Sequence, residues 1–204
     1  MDLRPELLLR TYAAGIFPMA EDRDSKNIFW VDPEQRGILP LDHFHIPKRL
    51  QRTLKNCPFR VTFNMAFETV IRACAEPTPE RSDSWINNTI IGVYCALHRQ
   101  HHAHSVECWQ GNRLVGGLYG VALGGVFFGE SMFSKEPDAS KIALVRLVER
   151  LREGGFTLLD IQFVTDHLSQ FGAVEISRDE FHTRLAEALK KDGCFHSETA
   201  NKTS

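Results

Sequence analysis

The sequence predicts an α+β fold with a small N-terminal lobe. Three observations predict it. Between residues 104 and 128, three strand-like runs are separated by turn signals. A long amphipathic helix, an apolar strand and a further helix follow. Ahead of residue 36 the chain is short, polar and broken by glycine and proline.

Taken in order, residues 3–14 place Leu7, Leu8 and Tyr12 at near-helical spacing. Gly15 and Pro18 stop that helix. Residues 20–27 are polar and loop-like, and Phe29-Trp30-Val31 is a short strand. Asp32-Pro33 and Arg36-Gly37 punctuate the chain and set a lobe boundary near 36. A basic helix over 47–56 opens with Pro47 in its first turn. Phe59 to Phe63 alternates as a strand does. Helices are expected over 65–75, capped by Asn64, and over 86–102, with a Pro-containing loop at 76–84.

Residues 105–109, Leu114 to Val121 and Val126-Phe127-Phe128 form an antiparallel meander, with Gly111-Asn112 and Gly124-Gly125 as its turns. Leu144, Leu147, Val148 and Leu151 share one side of a helix over 140–153, which Gly154-Gly155 ends. Phe156 to Gln162 is a mostly apolar strand. Ser177-Arg178-Asp179-Glu180 has the capping-box pattern and starts the last helix. The expected division is a lobe over 1–36, a main domain over 37–193 and a flexible tail over 194–204. The element order is compatible with the acetyltransferase-like (GNAT) fold, which does not by itself fix a function.

Composition narrows the function. The chain has 204 residues, 43% hydrophobic and 25% charged, enough apolar material for a core. A net charge of -2 excludes a broadly cationic, histone-like binder but not a local basic patch. No apolar run approaches the ~20 residues that span a bilayer. Met1 to Glu6 is acidic and lacks a signal peptide's apolar stretch, so a cytoplasmic, non-membrane protein is expected. Five cysteines without a Cys-x-x-Cys spacing give neither a disulfide framework nor a zinc ribbon.

Several constellations are candidates for chemistry. Lys48, Arg49, Arg52, Lys55 and Arg60 lie in a stretch without acidic residues, and Lys48, Arg52 and Lys55 share a helical face. That is a phosphate-contacting surface or a solvated face. His98 and His102 have i,i+4 spacing, but no third ligand is presented, so no metal is expected. Gly129-Glu130-Ser131-Met132-Phe133 lacks the second glycine of a nucleophile elbow. Arg113 to Leu118 approaches the pyrophosphate loop of CoA-dependent acyltransferases but fails at Leu118 and lies within a strand. Asp160 and Gln162 fall on one face of an apolar strand with Ile161 on the other. Buried polar residues there need partners, which a structural hydrogen bond or a reactive site would supply. Glu130 is a second acid at the end of an apolar strand.

An ordered series of segments then becomes recognisable. It runs through Gly15-Ile-Phe-Pro18, Arg36-Gly-Ile-Leu-Pro40, Trp85-Ile86, Leu114-Val-Gly-Gly-Leu-Tyr-Gly120, Gly129-Glu-Ser-Met-Phe-Ser134, Ala139-Ser-Lys141, Asp160-Ile-Gln162, His167 and Gly172-Ala173. It resembles the leucyl/phenylalanyl-tRNA–protein transferases over about residues 12–182. The resemblance implies a cytoplasmic, monomeric enzyme of the bacterial N-end rule. Such an enzyme moves Leu or Phe, and also Met, from aminoacyl-tRNA to the α-amino group of proteins beginning with Lys or Arg. No cofactor is implied, since aminoacyl-tRNA is a co-substrate. It implies Asp160 and Gln162 as a catalytic hydrogen-bond relay, with Asp160 as a direct base the simpler alternative. Glu130 would hold the aminoacyl-adenosine or its amino group. Leu118, Phe127, Leu147 and Leu151 would form the amino-acid pocket, although ordinary core packing explains the same residues. Trp85 would stack near the terminal adenosine. Met19 stands where many members have Trp, a softer contact. Lys48, Arg49, Arg52 and Lys55 would meet the tRNA backbone. An acyl-CoA transferase and a non-catalytic RNA-binding module are the competing readings.

Overall fold

The computed structural model describes residues 3–21, 25, 27–77 and 84–195. In chain order its elements are α1 (Pro5–Ala13), β1 (Phe17–Ala20), β2 (Ile28–Val31), β3 (Gln35–Ile38), α2 (Lys48–Lys55), β4 (Arg60–Phe63), α3 (Phe67–Ala75) and α4 (Asn88–Arg99). Then come β5 (Ala103–Gln110), β6 (Arg113–Leu123), β7 (Val126–Ser134), α5 (Ala139–Glu153), β8 (Leu158–Gln162), α6 (Asp166–Ser169), β9 (Val174–Ser177) and α7 (Arg178–Ala188). This is a mixed α+β architecture. β1 and β2 form a separate hairpin, and the other strands form one sheet in the order β4-β5-β6-β7-β8-β3-β9.

The expected meander is β5-β6-β7, antiparallel throughout. β8 returns parallel to β7 after the crossover helix α5. Alternation along the strands builds a core on each sheet face. One buries Tyr119, Val121 and Phe128 beneath α1, α3, α4 and α7. The other buries Leu118, Phe127 and Leu159 beneath α5, whose Ile142, Leu147, Val148 and Leu151 are all buried. The Arg113–Leu118 segment lies within β6, and its Gly116 lets α5 approach. A Cβ there would sit 2.5 Å from the Ala139 Cβ.

Three short strands depart from the sequence expectation. β1 forms where the sequence predicts a helix stop and a loop, because its partner is the hairpin strand β2. β3 contains the expected boundary at residue 36. Its Arg36-Gly37 is drawn into the sheet by β8 on one side and β9 on the other. β9 has only four residues and no apolar period, with Val174, Glu175 and Ser177 exposed.

Asn64 does not cap α3, whose N-cap is Ala66 without a side-chain bond. Asn64 takes a left-handed φ of 60°, and its amide oxygen accepts from Ser105 N–H at 3.1 Å. Asn87 caps α4 instead, and Ser177 caps α7 as the sequence indicates. Phe195, in the expected tail, is buried against the rings of His104 and Phe127 at 4.2 and 5.6 Å. Residues 196–204 of that tail lie outside the described residues, as do 78–83 of the 76–84 loop and 22–24 and 26 of the 20–27 loop. No helix among the described residues is long and apolar enough to cross a membrane.

Candidate active site

The β7–β8 ladder pairs Val126 with Leu158 and ends at Phe128 and Asp160. Beyond that point β7 continues along β6, while β8 continues along β3. Both strands also change register there. Tyr119 pairs with Ser131 and Gly120 with Gly129, so Glu130 is the extra residue of a β-bulge. Gly37 pairs with Gln162 and Ile38 with Asp160, so Ile161 is the extra residue of another. Bulges re-aim side chains and interrupt pairing, here on both strands where the ladder stops. A cavity of about 870 Å³ opens at this place.

Gln162 ends β8 in a left-handed conformation with φ 60°. The Phe163 N–H donates to the Ile161 carbonyl at 2.7 Å, so the chain turns tightly around Gln162. Gly37 makes room for that turn: a Cβ there would meet the Phe163 carbonyl carbon at 2.8 Å. Asp160 holds the turn from behind. Its Oδ1 accepts the Gln162 backbone N–H at 3.0 Å and Arg36 Nε at 2.8 Å, and its Oδ2 accepts Arg36 Nη2 at 2.7 Å. Arg36 is itself fixed. Its guanidinium lies between the rings of Phe17 and Phe181, at 4.5 and 4.4 Å, and Nη1 donates to the Gly15 carbonyl at 3.0 Å.

The bulge at Glu130 is anchored by three neutral donors. Tyr12 Oη donates to Oε1 at 2.7 Å, Tyr94 Oη to Oε2 at 3.1 Å and Gln162 Nε2 to Oε1 at 3.1 Å. The two tyrosine hydroxyls also touch each other, and their two protons can serve only two of the three contacts among Tyr12, Tyr94 and Glu130 at a time. Burial pushes both phenols well above their ordinary value, and the Glu130 charge adds to this, so they stay protonated. Burial likewise pushes the Glu130 carboxyl up to about 7, against the pull of Tyr12 and Tyr94. Because Gln162 donates its amide N–H to Glu130, its carbonyl oxygen remains available; no described protein group donates to it.

The structure brings six of the nine sequence-derived catalytic and substrate-pocket residues together. Glu130, Gln162, Trp85, Met19, Leu118 and Leu147 line the cavity, joined by Leu144 and Phe163. Asp160 does not line it and lies beneath, where it accepts the Gln162 backbone N–H. Phe127 and Leu151 do not line it either. Both are fully buried in the core, because the cavity meets α5 only from Ser140 to Leu147. Lys48, Arg49, Arg52 and Lys55 are exposed along α2, and none has an ion-pair partner among the described residues. α2 reaches toward the start of α5, where Thr53 bonds Asp138 at 3.5 Å.

Sequence reasoning missed Arg36, Tyr12 and Tyr94. Tyr12 was read only as part of an apolar helix face. A buried phenol needs a hydrogen-bond partner, and that requirement was the available signal. Two side chains of the histidine stretch pack internally. His98 bonds the Ala103 carbonyl at 2.8 Å and stacks on Phe67, while His104 stacks on Phe195. Among the described residues no group of three His, Cys, Asp or Glu could hold a metal.

Comparisons with known proteins bear on the family of the whole chain. Residues 38–186 match the family model described as leucyl/phenylalanyl-tRNA protein transferase. Residues 1–34 match the model of that transferase's N-terminal domain. A leucyl/phenylalanyl-tRNA–protein transferase of Hyphomonas neptunium is 60% identical over 94% of this chain and 74% of its own length. One from Paramagnetospirillum magneticum is 58% identical over 95% of this chain and 92% of its own. Among solved structures, FemX resembles the fold at a TM-score of 0.53 with 12% identity, covering 86% of this chain and 68% of its own.

Proposed function

The chain belongs to the leucyl/phenylalanyl-tRNA protein transferase family and is an aminoacyltransferase, and from that premise we propose how its cavity works. It moves Leu or Phe, and also Met, from aminoacyl-tRNA to the N-terminal amine of proteins that begin with Lys or Arg. The observation that carries this reading is the cavity itself. It places an apolar wall of Leu118, Leu144 and Leu147 beside the linked polar pair Glu130 and Gln162.

The chemistry asks little of the protein. An α-amine has an ordinary pKa of ~7.7–8.0, so a useful fraction is neutral near pH 7. The donor is an ester, which an amine opens more readily than an amide. Much of the acceleration then comes from holding amine and ester together. The leucine wall takes the aminoacyl side chain. Trp85 and Met19 take the terminal adenosine, since indole offers a stacking face. The free carbonyl of Gln162 accepts a hydrogen bond from the attacking amine, and Asp160 fixes Gln162 through its backbone. Glu130 binds an amino group on the same wall. Lys48, Arg49, Arg52 and Lys55 meet the tRNA backbone, a contact that needs no sequence readout.

The remaining parts of the reading follow from the family. Aminoacyl-tRNA is the co-substrate and no separate cofactor takes part. The enzyme is a cytoplasmic monomer that marks proteins for N-end rule degradation. Residues 1–36 form a small lobe on a GNAT-like domain over 37–193, and the likeness to FemX supports the fold alone. Transfer of labelled leucine from Leu-tRNA to an Arg-starting and an Ala-starting peptide tests the function. Label on the Arg peptide alone is expected; label on neither from a folded, tRNA-binding protein would overturn it.

A further inference from the structure

Two carboxylates stand at the end of the β7–β8 ladder, and only one faces the cavity. Asp160 is fully buried. Both of its oxygens are taken, by the Arg36 fork and by the Gln162 backbone N–H. A general base must come within hydrogen-bond reach of the proton it removes, and no side of Asp160 lines the cavity. Glu130 differs in its place and in the charge of its partners. It lines the cavity, no cationic side chain pairs with it among the described residues, and its partners Tyr12, Tyr94 and Gln162 are neutral donors.

We propose that Glu130 accepts the proton of the incoming protein's N-terminal ammonium, while Asp160 and Arg36 only position Gln162. This rests on the aminoacyl-transfer reading and names the proton acceptor within it. The ammonium gives one proton to a Glu130 carboxylate oxygen and becomes an amine. Its lone pair attacks the ester carbonyl carbon and forms the new C–N bond. The C–O bond to the terminal ribose breaks as the carbonyl re-forms, and the nitrogen's second surplus proton leaves with the ribose oxygen as a hydroxyl. Glu130 then releases its proton to water.

The groups around Glu130 suit this role. Tyr12 faces it from α1, Tyr94 from α4, Asp160 and Gln162 from β8 and Arg36 from β3. Burial raises its carboxyl to about 7, the Asp160 charge adds to this, and Tyr12, Tyr94 and Arg36 oppose it. A base near 7 facing an ammonium near ~8 is well matched for transfer at neutral pH. An ordinary exposed carboxylate, at ~4.3, would be a much weaker acceptor.

The test is the pH dependence of kcat/KM for an Arg-starting peptide at saturating Leu-tRNA. A bell is expected. It rises as Glu130 ionises near 7 and falls as the peptide's ammonium loses its proton near ~8. The falling limb should move with peptides whose α-amines differ in pKa. Glu130→Gln should lower kcat/KM by about 10²-fold and leave one limb, rising with the amine's own ionisation. Tyr12→Phe removes a donor to the carboxylate and should move the rising limb of the bell to higher pH. A single limb in the unmodified enzyme, set by the peptide amine and unchanged in Glu130→Gln, would overturn the proposal. Should Glu130→Gln not fold, the unmodified enzyme's profiles with Arg-starting peptides of differing amine pKa still decide. Failure of the underlying function looks different: no label reaches either peptide at any pH.

Discussion

Arg36 and Asp160 meet as a two-pronged fork, Nε to Oδ1 at 2.8 Å and Nη2 to Oδ2 at 2.7 Å, with neither side chain open to solvent. They stand 124 positions apart in sequence, on adjacent strands β3 and β8. The fork fixes the carboxylate that in turn holds the left-handed turn at Gln162.

Removing one member of such a pair strands a buried charge. Arg36→Met is expected to lower unfolding stability by about 3–5 kcal/mol. Arg36→Lys keeps the charge but cannot form the fork, so it should restore part of the stability and little of the turnover. Urea unfolding together with transfer rates separates the two effects. Turnover equal to the parent in a folded Arg36→Lys enzyme would show that the fork does not position Gln162.

The legibility of this arrangement was uneven. The meander, α5 and the Ser177 cap were readable because alternation, helical period and cap chemistry are local properties. Asp160 and Gln162 stood out because they are polar residues in an otherwise apolar strand. β3 was not, because Arg36-Gly37 carries turn residues and becomes strand only by pairing with β8 and β9, more than 120 residues away. The bulge at Glu130 was equally hidden, since a register shift depends on the opposing strand. Leu147 and Leu151 share a helix face, and spacing cannot say where along that face the cavity ends.

Glu130 carries a pH-dependent cost. Its carboxyl is raised from 4.5 to about 7 in the folded protein. Between those values the folded state holds a proton that the unfolded chain has lost, so stability falls as pH rises through that window. Glu130→Gln removes the cost. The variant should match the parent near pH 4.5 and exceed it at pH 8, by on the order of 1–3 kcal/mol. Urea titrations of both proteins at the two pH values check this. An equal difference at both would refute the raised carboxyl.

Leu147 and Leu151 separate the cavity wall from the core. Leu147 lines the cavity, and Leu151 lies one turn further along α5, fully buried in the core. Leu151→Ala should destabilise by about 2–5 kcal/mol and leave the ratio of Phe to Leu transfer unchanged. Leu147→Ala should enlarge the pocket and raise that ratio by about tenfold. Competition between Phe-tRNA and Leu-tRNA measures it. A shifted ratio in Leu151→Ala would place the pocket deeper than the cavity reaches.

The exposed cations of α2 should act on tRNA and not on chemistry. Their charges are unpaired among the described residues, and they project from a helix with only Leu50 buried. Each lost phosphate contact lowers the slope of log affinity against log salt by about 0.7–0.9. Replacing Lys48, Arg49, Arg52 and Lys55 by alanine should therefore flatten the slope for Leu-tRNA by about 3 and raise KM for that donor. The same variant should use a minimal donor, leucine esterified to adenosine, as well as the parent does, because that donor has no phosphate backbone to lose. A parallel loss with the minimal donor would mean that α2 shapes the cavity and does not simply hold the acceptor arm.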